Sequence, residues 1–156
     1  MGTPTNPTAN EMAQAILGCV GYMYGFKDDQ GEPMNEDAKN FMVMVPTNLW
    51  SPTAQALSSN LLSTGTGAID NPLKGMGLNF GLIPNPRLSA TAVFYICRTD
   101  GRAKPFILQN EEDVKLDAIA EGSEEEFKHN RHLYGAKAIR NVGYGYWQQA
   151  LMATLS

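Results

Sequence analysis

The sequence predicts an α+β fold, with a mostly antiparallel or mixed sheet carrying two to three helices. Three observations predict it. Two stretches, "EMAQAILGCVGYMY" and "SPTAQALSSNLL", place apolar residues at helical spacing. Several apolar runs of strand length stop at proline or at turn residues. The order helix, strand, helix, strand, hairpin, long strand lacks the regular alternation of a parallel α/β sheet.

The first helix is expected over 11–24, capped by a residue between Thr8 and Asn10, with Met12, Ile16, Leu17, Val20 and Tyr24 on one stripe. Gly25 is placed to end it. "KDDQGEP" has turn chemistry throughout, and "FMVMVP" reads as a buried strand stopped by Pro46. The second helix is expected to start with Ser51 as N-cap and Pro52 at its first helical position, turning Ala54, Leu57 and Leu61 inward. Residues 63–77 read as a loop and "LNFGLIP" as a second strand. "ATAVFYIC" and "KPFILQ" flank Asp100–Gly101, a strong hairpin signal, and so predict two paired strands. An acidic, helix-poor connection follows over 110–130. The last strand is expected in "HLYGAKAIRNVGYG", half-buried through Leu133, Ala136, Ala138 and Val142. "YWQQALMATL" closes the chain as a short helix or an extended tail.

With 156 residues, 43% hydrophobic and 18% charged, the composition is that of a folded chain with a core of its own. The organisation read from it is a flexible lead-in over 1–9 and a single domain over 10–156. No run nears the roughly 20 apolar residues of a membrane-spanning helix. The net charge is −4 and the basic residues are scattered singly, which argues against nucleic acid as a partner. Cys19 and Cys97 are too few for a disulfide framework and sit among apolar neighbours, as small core residues of a reducing cytoplasm do.

The search for chemistry returns little. Aligning Gly31 with the glycine of a calcium loop puts Phe26 at the first ligand position, which excludes that site. "GTGAIDNPLKG" lacks the end of a phosphate loop, and Gly143–Tyr144–Gly145 is half a dinucleotide fingerprint. His129 and His132, beside Glu124–Glu125–Glu126, are the one set resembling metal ligands, without a second ligand pair. The expectation is no enzyme, no catalytic residue, no metal and no cofactor.

Three stretches in order, "FMVMVPTNLWSPTAQALSSNLL", "NPLKG" followed by "LSATAVFYICRTDGRAKPFILQ", and "HLYGAKAIRNVGYGYWQQA", resemble the C-terminal half of the major head subunit of Mu-like phages and prophages. The resemblance runs over 11–150 and is most specific at Lys104–Pro105–Phe106–Ile107 with Gln109 and at the aromatic-glycine closure ending in Trp147. The sequence departs from the family at 93–96, where a bulkier aromatic is usual, and at Pro46–Thr47, where a doubled proline is usual. The family's chain is also longer, so the expectation is an excised C-terminal piece. The resemblance implies a tailed-phage capsid fold of the HK-ninety-seven type. It implies copies of the full-length subunit in pentamers and hexamers as partners, with scaffold or portal proteins besides, and a place in the virion capsid after assembly in the bacterial cytoplasm. It also implies that Tyr144, Tyr146 and Trp147, with Phe106, anchor the closing segment in or near the core.

Contact surfaces are expected in the two long polar connections. They give Asn71 and Lys74 in the first, and Glu111, Glu112, Asp113, Glu124, Glu125 and Glu126 in the second. Two other readings stay open: an accessory ligand- or protein-binding domain, and a small metal-dependent hydrolase using His129 and His132.

Overall fold

The computed structural model describes residues 3–119, 124–129 and 132–156. In chain order these form α1 (Ala9–Tyr24), β1 (Asn40–Val45), a 3-10 turn (Thr47–Leu49), α2 (Trp50–Ser58), β2 (Leu61–Ser63), β3 (Ala68–Asp70) and α3 (Pro72–Gly75). Then come β4 (Asn79–Pro84), β5 (Val93–Arg98), β6 (Phe106–Ile119), α4 (Glu124–His129), β7 (Leu133–Tyr144), a second 3-10 turn (Trp147–Gln149) and β8 (Ala150–Thr154). Where the sequence reads one domain over 10–156, this chain divides into two compact units. One comprises Met1–Pro105 with Gly145–Ser156, the other Phe106–Tyr144.

The larger unit is built on a four-stranded mixed sheet in the order β4-β1-β5-β8. β1 runs parallel to β4 from Asn40↔Asn79 to Val45↔Pro84 and antiparallel to β5 from Phe41↔Arg98 to Met44↔Tyr95. A parallel neighbour needs a long crossover, and α2, the β2–β3 hairpin and α3 supply it. β8 pairs antiparallel with β5 from Val93↔Thr154 to Cys97↔Ala150. The closing segment is therefore an edge strand, with Leu151, Ala153 and Leu155 packed on the core.

α1 starts where a capping box allows it. The Thr8 hydroxyl accepts from the Glu11 amide at 3.3 Å, and the Thr8 amide donates to Glu11 Oε2 at 2.8 Å. The lead-in is tied down behind this cap, since Asn48 Nδ2 donates to Thr5 O at 2.8 Å and Pro7 is buried. Gly25 ends α1 as expected, with φ −79 rather than a left-handed angle. The buried face of α1, Met12, Ala13, Ile16, Val20 and Met23, lies in one core with Phe41, Val43 and Val45 of β1 and Phe94 and Ile96 of β5. Each large side chain so buried contributes roughly 1.5–3 kcal/mol. The register puts these β1 and β5 residues on one sheet face, and Met42, Met44 and Tyr95 on the other.

Several expectations are corrected. α2 is entered through a 3-10 turn with Leu49, not Ser51, at its N-cap, and its buried residues are Pro52, Thr53 and Ala56, while Leu61 is exposed. Residues 63–77 are not a plain loop, because they include the end of β2, all of β3 and α3. The Asp100–Gly101 hairpin does not form. Asp100 Oδ2 instead accepts from the amides of Lys39 (2.8 Å) and Asn40 (3.1 Å), and both edges of β5 are already held by β1 and β8. The strand expected at 104–109 belongs to β6, whose partner is β7. Four α-helices are present among the described residues, one more than the upper expectation.

Candidate functional site

The smaller unit is a two-stranded antiparallel arm, β6 against β7, from Phe106↔Tyr144 to Ile119↔Leu133. The acidic connection expected over 110–130 thus begins as strand. Successive strand residues point to opposite faces, so the pairs Phe106/Tyr144, Leu108/Val142 and Asn110/Arg140 share one face. The ladder slips twice on β6, between Asn110 and Glu112 and between Glu112 and Lys115. Each slip puts one extra residue into β6. Because there are two, Leu116/Ala136 and Ala118/Tyr134 return to the same face. The outcome is one apolar stripe along the arm, interrupted at Asn110/Arg140.

The opposite face is mixed: it carries exposed Ile107, Leu133 and Ile139 beside the charged Glu112, Lys115 and Lys137. Glu112 bridges Lys115 at 2.7 Å and Lys137 at 3.0 Å. Hydrogen bonds from Lys115 and then Lys137 hold its carboxyl below the usual value. Among the described residues nothing covers the apolar stripe: Leu116 is 81% exposed, Tyr134 79% and Tyr144 89%. An isolated two-stranded ribbon is marginally stable in water, and an uncovered apolar stripe marks a contact surface.

Among the expected contact residues, Glu111, Glu112 and Asp113 lie on the arm at the two slips. Glu124, Glu125 and Glu126 open α4, and their side chains lie outside the described residues. Lys74 is exposed at the end of α3. Asn71 is not a surface residue: it is 4% exposed, caps α3 by accepting from the Leu73 amide at 3.0 Å, and donates to Ala56 O and Ser59 O. Its Asn-Pro sequence is a cap signal that a loop reading passes over.

The core-anchor expectation for the aromatics is also corrected. Phe106, Tyr144, Tyr146 and Trp147 are all more than half exposed. Phe106 and Tyr144 face each other across the arm at 6.0 Å, and Trp147 lies edge-on to Phe26 at 5.3 Å. The residues that anchor the closing segment are Leu151, Ala153 and Leu155. Likewise Leu133, Ala136, Ala138 and Val142 are exposed rather than half-buried.

The sequence also passes over Arg98, which organises a buried polar clasp in the larger unit. Its guanidinium is 5% exposed and donates from Nε to Asp100 (2.6 Å), from Nη2 to Asp37 (2.6 Å), and from Nη1 to Met34 O (2.9 Å) and Asn35 Oδ1 (3.3 Å). Asn35, wholly buried, donates onward to Met23 O and Gln148 O, both at 2.8 Å. One cation thus joins the end of α1, the entry to β1, the end of β5 and the closing segment. Burial pushes the Asp100 carboxyl up, but the hydrogen bonds from Arg98 and from the Lys39 and Asn40 amides outweigh it and leave the group below its usual value. Nearby, Gln148 and Gln149 are buried with Oε1 atoms that lack a hydrogen-bond partner among the described residues. The signal in the sequence was an arginine ending an apolar strand, with an aspartate two residues on.

No group of three or more metal-ligating side chains occurs among the described residues, and His129 lies exposed at the end of α4. Burial raises both cysteine thiols above their ordinary value. No helix among the described residues is long and apolar enough to cross a membrane.

Comparison with known proteins gives the arrangement a family. Among curated proteins none matches. Among solved structures, a chain of the procapsid of bacteriophage JBD30 is similar, at 19% identity and a TM-score of 0.37. The alignment covers 92% of this chain and 39% of that one, so this chain spans well under half the length of that relative. The Mu-like prophage major head subunit gpT family matches residues 76–155, just over half of the chain and the whole of the arm. By that match the chain belongs to the Mu-like prophage major head subunit family.

Proposed function

We propose that the chain is shell-building material of a phage head. In this reading it is part of a major capsid subunit with the tailed-phage fold of the HK-ninety-seven type, and its work is self-association rather than catalysis. Copies of the complete subunit assemble into pentamers and hexamers in the bacterial cytoplasm, with scaffold or portal proteins as further partners, and end in the virion capsid. The observation that carries this is the exposed apolar stripe of the arm. A strand pair with such a stripe on one face and ion pairs at the centre of the other gains stability against another surface, and a subunit that lives in a shell always has one.

The acidic positions at the slips and at the start of α4 are proposed as contacts that set which surface is chosen, since charge acts more on specificity than on affinity. The test is negative-stain electron microscopy of the complete gene product beside its Leu116→Glu variant. Closed shells or capsomer rings from the parent, and dispersed subunits with an unchanged melting curve from the variant, are expected. Uniformly small particles from the parent would overturn the capsid reading.

A further inference from the structure

The chain passes from β7 into β8 through residues 145–149, and none of their side chains belongs to the hydrophobic core. Tyr146 and Trp147 are more than half exposed, and the two buried side chains are glutamines, Gln148 at 9% exposure and Gln149 at 4%. Burying a polar group is unfavourable unless it is hydrogen-bonded. The Oε1 atom of each glutamine is nonetheless buried without a partner among the described residues. Gln149 packs on Gly101, which has no side chain to bond it.

The backbone of this passage is bonded mostly to itself. The Gln149 amide reaches Tyr146 O at a long 3.3 Å, and the Ala150 amide bonds to Trp147 O. At the near end the Gly145 amide donates to Pro105 O at 2.9 Å. Beyond that point, among the described residues, one hydrogen bond ties the turn to another part of the chain: Asn35 Nδ2 donates to Gln148 O at 2.8 Å. Asn35 is itself fixed, since it accepts from Arg98 and donates to Met23 O. Trp147 adds its edge-on contact with Phe26. β8 begins at the next residue and is held quite differently, by its ladder with β5 and by Leu151, Ala153 and Leu155 in the core. A segment with few apolar contacts and one polar tether opens at a lower free energy than the sheet beside it.

We infer that residues 146–149 are a latch, which detaches from the larger unit while β8 stays in its ladder, and that Asn35 is the catch. Opening brings water to both glutamine carboxamides and so removes the penalty of burying them. It also leaves Asn35 bonded to Arg98 and Met23 O, so the clasp survives. The closed state is therefore poised, one tether and one ring contact against two buried, unpaired acceptors. What opening provides is slack, because β7 is then joined to the sheet by a free connector instead of a fixed turn.

Amide exchange of the 156-residue chain, read residue by residue by NMR, tests this. After correction for intrinsic rates, the Gln149 and Ala150 amides are expected to exchange at least about 100-fold faster than those of Val43 and Ile96 in the two central strands. Low urea is expected to leave the two faster rates unchanged, since local opening exposes little surface. The sign of one substitution decides the cause. Gln149→Met keeps the side chain's length and removes the unpaired carbonyl, and is expected to slow exchange at 149 and 150 about tenfold with Val43 and Ile96 unchanged. Gln148→Met, which leaves the packing on Gly101 alone, is expected to act in the same direction. Asn35→Asp keeps the acceptor for Arg98 and removes the donor, and is expected to speed exchange at 149 and 150 by about tenfold more than at Val43 and Ile96. Exchange at 149 and 150 that tracks the central strands in the parent, or that quickens in both methionine variants, would overturn the latch.

Discussion

At the scale of single residues, Arg98 holds more of the larger unit together than any group singled out by pattern. Arg98→Met leaves the Asp100 and Asp37 carboxylates without their cation and Asn35 Oδ1 and Met34 O without a donor. Asp37 is largely exposed and Asp100 keeps two amide donors, so the loss is that of buried acceptors left unpaired, about 1–3 kcal/mol, and urea unfolding is expected to show it. The clasp also sets a pH response. Because the folded-state value of Asp100 lies below its ordinary value of 3.8, its contribution is fully present above that value and is lost as the pH falls through and below it. Acid titration of stability is expected to be shallower over that window in Arg98→Met than in the parent. A second residue argument concerns Gly101. A Cβ there would meet Gln149 Nε2 at 2.7 Å and Oε1 at 2.8 Å. The Gln149 amide is the end of a flexible side chain but is buried and must turn aside, so Gly101→Ala is expected to lower the melting temperature. Adding Gln149→Ala is expected to recover most of the loss, and equal, additive losses in the double variant would place the strain elsewhere.

At the scale of elements, what was legible follows from how local the deciding forces are. β1 was readable within a residue because six residues of strand run into Pro46, and α1 because Thr8 and Glu11 close a box three residues apart. The β5 hairpin was misread because its outcome is decided at a distance: Asp100 is taken by Lys39 and Asn40, and the edge of β5 by a strand more than fifty residues later. The arm was half legible. β7 alternates regularly and was found, whereas the two slips break the alternation of β6 and made 110–119 read as an acidic connection. Those slips give a prediction of their own. A one-residue change of register turns a strand's side chains to the opposite face. Deleting Glu111 alone is expected to put Leu116 and Ala118 opposite the wrong face and to abolish shells. Deleting Asp113 as well restores the parity, and shells are expected to return. Assembly that survives the single deletion would show that the stripe does not act as one surface.

At the scale of the whole molecule, the candidate surfaces were hidden from sequence for a common reason. Exposure of an apolar side chain is a property of the fold's surroundings, and "VKLDA" or "YGAKA" reads the same whether its alanines and leucines are covered or bare. The larger unit is discontinuous, made of the chain up to Pro105 and again from Gly145, and the Gly145 amide donates to Pro105 O at 2.9 Å. Replacing residues 106–144 by Asn-Gly, which favours a tight turn, is therefore expected to leave a soluble larger unit whose cooperative melting still depends on Arg98. Loss of that transition would show that the sheet needs the arm to fold. If the junction holds, the arm is an insertion in the topological sense: the chain leaves the larger unit at Pro105 and re-enters it at Gly145, so residues can be added to or taken from the arm without changing the order β4-β1-β5-β8.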